Sequence, residues 1–438
     1  MRRWTAWVAA GFVWIATAGT PAGAQEPAPG PLRLDLPGAV SLAMERNHEV
    51  LRARERIRQL EGRITEVKSQ AYPRLGLEAA YRRSYDESFL DLFDGFIPPE
   101  EVNSYSLKGT LDQILFSWGR VSTAIEIARV AREQARWQQE AVERDVKLRV
   151  HEAFYDLLLA RRLVEVAEET LAQKERHLDV ARKRFQAGVV NEFEVVRARV
   201  AVANARPPVI QARNRVRQAV AKLNNLLARP QDAPLEPRGE LDQPPLPVRD
   251  LSAVIERAWE RRPELQALVQ ARDLAQKNLT LARSEDKPTV GLRAEYGFAT
   301  QQWDRLDFRR EQWSVGVQMT WPFFDSGKTR GKIAQARSQL RDVQLALDQT
   351  RQGIALEAKV ALDAAEEAEK IIEAVGQNIE QARRALELAE ASYRYGVGTA
   401  LDVTDAELGL TAARTDHARA LRDYLVARAR MLAVMNDL

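Results

Sequence analysis

The chain has 438 residues, no cysteine, and 29% charged residues whose signs nearly cancel, leaving a net charge of +3. That balance excludes a basic nucleic-acid footprint, and the missing cysteine excludes a disulfide framework, a thiolate metal site and a lipid-acceptor thiol. The length allows roughly two or three ordinary domains.

In chain order, the first element is a targeting segment. Arg2 and Arg3 precede an apolar run over residues 4–18, and Ala22-Gly23-Ala24 supplies small residues for cleavage. This predicts a signal peptide over 1–24, since the run falls short of the ~20 residues a membrane span needs. The mature chain, starting near Gln25, then goes to an oxidising compartment, which in a bacterium means the periplasm, the outer membrane or the medium. Residues 25–37 read as an extended lead-in.

From there the chain reads as two copies of one plan, 38–228 and 249–438. Ala43, Glu45, Arg46, Glu49, Pro73, Gly76 and Tyr81 recur 215 positions later, and Phe116, Gly119, Gly188, Val195 and Ala198 recur 208 positions later. A proline-rich stretch over 229–248 joins the copies as an extended linker.

Each copy opens with a helical pattern and then changes to period two, predicting β-hairpins over about 74–116 and 289–324. Trp313, Val315, Val317, Met319 and Trp321 alternate with polar or small residues, and Leu75, Leu77, Ala79 and Tyr81 repeat the theme more weakly. Four strands of about nine residues with one apolar face match the pattern of outer-membrane barrel strands. Tyr81, Tyr105, Tyr296, Trp313 and Trp321 are then candidate aromatics of the membrane interface. Packing on a soluble core is the other reading of the same hairpins. The loops over 82–104 and 297–312 are polar and acidic, suited to water.

Long helices follow over 117–187 and 327–395. A seam with alternating spacings of three and four runs from Val121 to Phe185; sixteen of its nineteen positions are apolar, the exceptions being Arg132, Gln139 and Lys174. In the second copy seventeen of nineteen are apolar, so both segments read as sustained coiled coil with one stutter. Return helices with their own seams supply partners, broken at His417 in copy two. Pro207-Pro208 predicts a kink or short interruption in the copy-one return helix.

Between long and return helices lie two related tips. Gly188, Gly396 and Gly398 serve tight turns, and Asn191-x-x-Glu194 and Thr399-x-x-Asp402 fit helix N-terminal capping boxes. Asp405 shares one side of the helix with Asp402, flanking the seam. Val189, Val190, Phe193 and Leu401 are apolar residues at the turns, open either to packing within the tip or to contact with a partner.

The duplicated plan, with the turn Gly396-Val397-Gly398-Thr399 leading into Asp402-Val403-Thr404-Asp405, resembles the TolC-like outer-membrane efflux protein family across nearly the whole mature chain. The resemblance implies a mainly α fold with a β-barrel portion. Three copies would share a twelve-stranded outer-membrane barrel and a helical tunnel across the periplasm. It implies an export duct working with a periplasmic adaptor and an inner-membrane transporter. It also implies that Asp402 and Asp405, with Glu194 in copy one, are the gating acids of the pore entrance, and that the apolar tip residues contact the adaptor. This turn is shorter than that of the best-known member and lacks the basic residue after Gly-Thr, so particular closing contacts do not carry over. Acids converging on a narrow axis favour cations, attract divalent ions and raise some of one another's pKa values.

No enzyme is expected. His48, His151, His177 and His417 lack ligand spacing, so neither a metal site nor a cofactor is expected, and no nucleotide loop or nucleophile elbow occurs. The competing expectation is a structural or adhesive coiled-coil protein of the periplasm or medium.

Overall fold

The computed structural model describes residues 32–86, 100–300 and 311–438. The expected signal peptide lies outside these residues. The elements in order are β1 (Leu32–Leu34), α1 (Leu36–Arg46), α2 (His48–Lys68), β2 (Arg74–Asp86), β3 (Glu100–Phe116), α3 (Arg120–Gln186) and α4 (Glu192–Leu226). They continue with β4 (Leu235–Pro237), α5 (Leu251–Arg261), α6 (Pro263–Arg283), β5 (Thr289–Thr300), β6 (Glu311–Thr320), α7 (Lys328–Arg394) and α8 (Ala400–Val434). The two halves carry helices of the same four lengths, 11, 21, 67 and 35 residues.

Local chemistry sets the element ends. Asp35 and Asp250 accept backbone N–H bonds at the starts of α1 and α5, and Asn47 caps α2. Each long helix begins after a pair of left-handed residues, Trp118 and Gly119 before α3, Ser326 and Gly327 before α7. That pair reverses the backbone from extended to helical within two residues.

Each strand continues one helix, so strand order and helix order agree. The sheet runs β2-β3-β5-β6, antiparallel throughout, and beneath it the helices contact in the order α2, α3, α6, α7. Towards the other end the order becomes α4, α3, α8, α7. At about 1.5 Å per residue, α3 and α7 are each about 100 Å long, with the sheet at one end and the turns at the other.

The core is a belt around the middle of the long helices. Val146, Val150, Phe154 and Leu157 of α3 pack with α1, the end of α4 and Leu425 of α8, while Ile354, Ala358, Leu362 and Ala365 of α7 pack with α5 and Tyr424. Arg144 is buried in this belt between Asp145 and Glu264 of α6. Burial opposes its charge, yet the bonds to Glu264 and Asp145 hold its pKa above the usual arginine value.

Three local expectations are corrected. The strands span 13, 17, 12 and 10 residues rather than about nine, because pairing continues through polar residues such as Arg82 opposite Ser104. Residues 82–86, 100–104, 297–300 and 311–312, read as loop, therefore belong to strands. The prolines at 207 and 208 do not interrupt α4. Val202, Val209 and Ala212 are buried on both sides of them, and this packing against α3 holds the segment helical although two N–H donors are missing. The segment over 229–248 is also a strap: β4 pairs in parallel with β1, and the Pro244 carbonyl accepts the Tyr424 hydroxyl at 2.5 Å.

Candidate functional site

The sheet end has two unlike faces. Cross-strand partners share a face, so the register puts Leu77, Leu107, Phe298, Tyr296, Trp313 and Val315 on one side and Glu78, Lys108, Asp112, Arg293 and Glu295 on the other. On the apolar side Leu75, Leu77, Trp313, Val315, Val317 and Met319 are 63–77% exposed. On the charged side Glu295 accepts from Arg293 at 2.8 Å and lies 4.0 Å from Lys108. Close strand approach requires Gly297, where a Cβ would lie 2.2 Å from the Leu107 carbonyl oxygen.

The aromatics sit at several levels. Tyr81 and Tyr105 face each other with ring centres 5.0 Å apart, Tyr296 is paired with Trp313, and the Trp321 indole donates to the Asp286 carbonyl at the helix end of the sheet. Phe116, Trp118, Phe323 and Phe324 lie exposed beside that end; Phe116 and Phe324 are equivalent positions of the repeat, whereas Trp118 and Phe323 carry no sequence signal beyond their aromaticity.

At the opposite end, both tips turn on a left-handed glycine, Gly188 and Gly396. The following amides fold back onto the end of the long helix, Val189 onto Arg184 and Val397 and Gly398 onto Ser392. Asn191 caps α4 by accepting from the Glu194 amide, and the Glu194 carboxylate lies 3.8 Å from Arg197. In copy two the cap is reciprocal. Thr399 Oγ1 accepts from the Asp402 amide at 3.2 Å, and the Asp402 carboxylate accepts from the Thr399 amide and hydroxyl at 2.8 and 2.7 Å. The bond from the Thr399 amide, then that from its hydroxyl, holds the Asp402 carboxyl below the usual aspartate range. Asp405 is exposed one turn on, and Val189, Phe193 and Leu401 are exposed, with Val190 half-buried.

Two features near the tips escape sequence reading. Lys174 of α3 and Glu407 of α8 form an ion pair with side chains only 11% and 7% exposed, next to the Thr170–Thr411 hydroxyl contact. Lys174 stands out in the sequence as a break in the seam; Glu407 does not. Beside them α3, α7 and α8 enclose a cleft of about 320 Å³ lined by Arg176, His177, Arg184, Glu390, Tyr393 and Arg394. The Arg184 guanidinium lies 4.9 Å from the Tyr393 ring centre.

Among the described residues, no helix is long and apolar enough to cross a membrane, and no three His, Asp or Glu side chains gather as a metal site.

The family model described as outer membrane efflux protein matches residues 39–229 and 254–437. The alkaline protease secretion protein AprF of Pseudomonas aeruginosa is 27% identical over 347 residues, 77% of this chain and 70% of that protein. The outer membrane protein TolC of Escherichia coli is 24% identical over 399 residues, 86% of this chain and 77% of that one. Among solved structures, the Campylobacter jejuni CmeC outer membrane channel superposes with a TM-score of 0.80 at 16% identity, over 92% of this chain and 85% of that one. The Vibrio cholerae outer membrane protein VceC gives 0.76 at 18% identity, over 91% and 95%. At those identities the structural likeness speaks to the fold.

Proposed function

Because this chain belongs to the outer membrane efflux protein family and is an export channel of the outer membrane, we propose that three copies assemble into one duct. The carrying observation is the open four-stranded sheet with one apolar and one charged face. Four strands cannot close, since the smallest membrane barrels have about eight, and an open edge in lipid leaves backbone groups unpaired at several kcal/mol each. Three copies joined edge to edge, β6 of one beside β2 of the next, make twelve strands with the apolar face to lipid and the charged face to the pore. The six strongly exposed side chains of the apolar face alone represent on the order of 10 kcal/mol per copy that lipid contact recovers.

The helices beneath continue as a tunnel through the periplasm, so the tips stand at the periplasmic entrance. There Asp405, with Asp402 and Glu194, lines the opening, while Val189, Val190, Phe193 and Leu401 meet a periplasmic adaptor that links the duct to an inner-membrane transporter. The relatives named for secretion and for efflux support the partnership with an adaptor and a transporter. The channel is a passive conduit, gated at the tips, whose cargo is chosen by the transporter. It carries out no chemical step of its own. The reading as an adhesive coiled coil gives way to family membership.

Sizing in detergent tests the assembly. A complex about three times the protomer mass supports it, and a monomer that stays in solution without detergent removes it. Replacing Asp402 and Asp405 by alanine weakens cation selectivity if they line the entrance; unchanged selectivity leaves Asp402 with its capping role alone.

A further inference from the structure

A cleft of about 440 Å³ lies over α3 between α4 and α8, with Leu163, Val166 and Ala167 as its floor and Ala205, Ala212 and Leu408 on its walls. Four threonines also border it, yet the hydroxyls of Thr170, Thr404, Thr411 and Thr415 each donate to the carbonyl four residues earlier in their own helix, and Pro208 has no N–H to offer. The cleft is therefore apolar over most of its length, which from Leu163 to Lys174 is about 16 Å at ~1.5 Å per residue. No Asp or Glu lines it. The acids beside it are engaged, Glu407 with Lys174 at the tip end, Glu168 with Arg213 and Glu169 with Arg414. The end away from the tips carries Arg215 and Arg419. Arg215 has no ion-pair or hydrogen-bond partner among the described residues, and Asp416, 3.6 Å from Arg419, is beyond hydrogen-bond distance. The repeat does not account for this combination, since copy two has Asp416 and Asp423 where copy one has Pro208 and Arg215.

Small-molecule sites are mostly apolar with a few placed polar groups, and the planar fork of a guanidinium matches a carboxylate. An apolar cation would find no carboxylate on these walls. We propose that this cleft binds a water-borne amphipathic carboxylate, its head between Arg215 and Arg419 and its apolar body along Val166, Ala167 and Ala205 towards the tips. The ligand comes from water rather than from the bilayer, because about 65 Å of α3 separate Arg120 at the sheet end from Leu163 at ~1.5 Å per residue. Every group of the site belongs to one copy, so the site stands whether or not copies join into a duct.

The test is photolabelling of the full chain in lipid nanodiscs by laurate carrying a diazirine at its far end, with the labelled peptides read by mass spectrometry. The expected label falls on the tip half of the cleft, at Thr170, Thr404 or Leu408, and unlabelled laurate competes at least about tenfold better than uncharged dodecanol, as for a hydrogen bond to a charged group. Arg215→Gln with Arg419→Gln, both exposed positions, should weaken labelling at least about tenfold. Ala205→Trp, which fills the cleft and keeps both arginines, should abolish it. If the arginine pair fails to fold, Arg215→Asp, which only installs the residue that copy two carries there, should weaken labelling in the same direction. Labelling at other residues, competition by dodecanol as strong as by laurate, labelling unchanged by these substitutions, labelling by a diazirine phosphatidylglycerol of the disc in place of laurate, or no labelling, overturns the inference. A protein that labels as expected but neither oligomerises nor conducts keeps the inference and overturns the duct, so the two failures are distinguishable.

Discussion

Replacing Glu407 by glutamine leaves the Lys174 ammonium in a site where its side chain is only 11% exposed, with the neighbouring carboxylate gone. Removing one member of a buried pair costs about 3–5 kcal/mol, because the remaining charge stays desolvated. Each ~1.4 kcal/mol is tenfold, so local opening of the α3–α8 contact should become about 10²- to 4 × 10³-fold more frequent. Hydrogen exchange of the assembled protein reads this directly, at amides around 170–178 and 403–411. The control is Lys174→Met with Glu407→Leu, which removes both charges and keeps the volume; protection there should match or exceed that of the unsubstituted protein. Glu407→Gln exchange within threefold of the unsubstituted rate, or a double variant as weak as the single one, would refute the reasoning and mean that the pair is solvated.

Thr399→Ala should cost about 1 kcal/mol at the second tip through loss of the cap, seen as faster exchange over residues 400–404 with the first tip unchanged. The same cap should fail in acid. Since the folded Asp402 carboxyl titrates below its usual value, its contribution is complete above the ordinary aspartate pKa of about 3.9 and is lost as pH falls through the lowered one. Exchange at the second tip measured from pH 6 downward should show this step, and Asp402→Asn should abolish it. Gly297→Ala should disrupt β3–β5 pairing, because the new methyl would collide with the Leu107 carbonyl, and electrophoresis of unheated samples should show less folded barrel. Val317→Lys on the apolar face should cost about 2–4 kcal/mol near the bilayer midplane and reduce membrane assembly, whereas Arg293→Gln on the charged face should leave assembly intact.

Much of the long-range plan is legible in the sequence because it rests on periodicity. The seam from Val121 to Phe185 is a backbone property of α3, and Val146, Val150, Leu157, Leu178 and Ala181 on it are buried. Phe154, Tyr155 and Leu158 are buried off that seam, since α3 lies between α4 and α8 and meets α1 as well. A one-seam pattern describes one neighbour. The outer ends of β2 and β3 were hidden for a different reason: beyond the apolar stretch, pairing partners rather than alternation keep residues 82–86 and 100–104 extended. At the tips, Thr399 and Asp402 carry their cap in local spacing, which is why that bond network is readable. The basic cleft is not, because Arg176, Arg184 and Arg394 each look like ordinary solvated residues until α3 and α7 are brought together.

In this reading the sheet completes a conducting barrel with further copies. Single-channel recording of the purified mature protein in a planar bilayer, with and without millimolar divalent cation on each side, tests it most directly. The expected result is insertion of an oligomer giving small, cation-selective steps that divalent ions reduce from the tip side; a protein that extracts without detergent and never inserts would rule the barrel out.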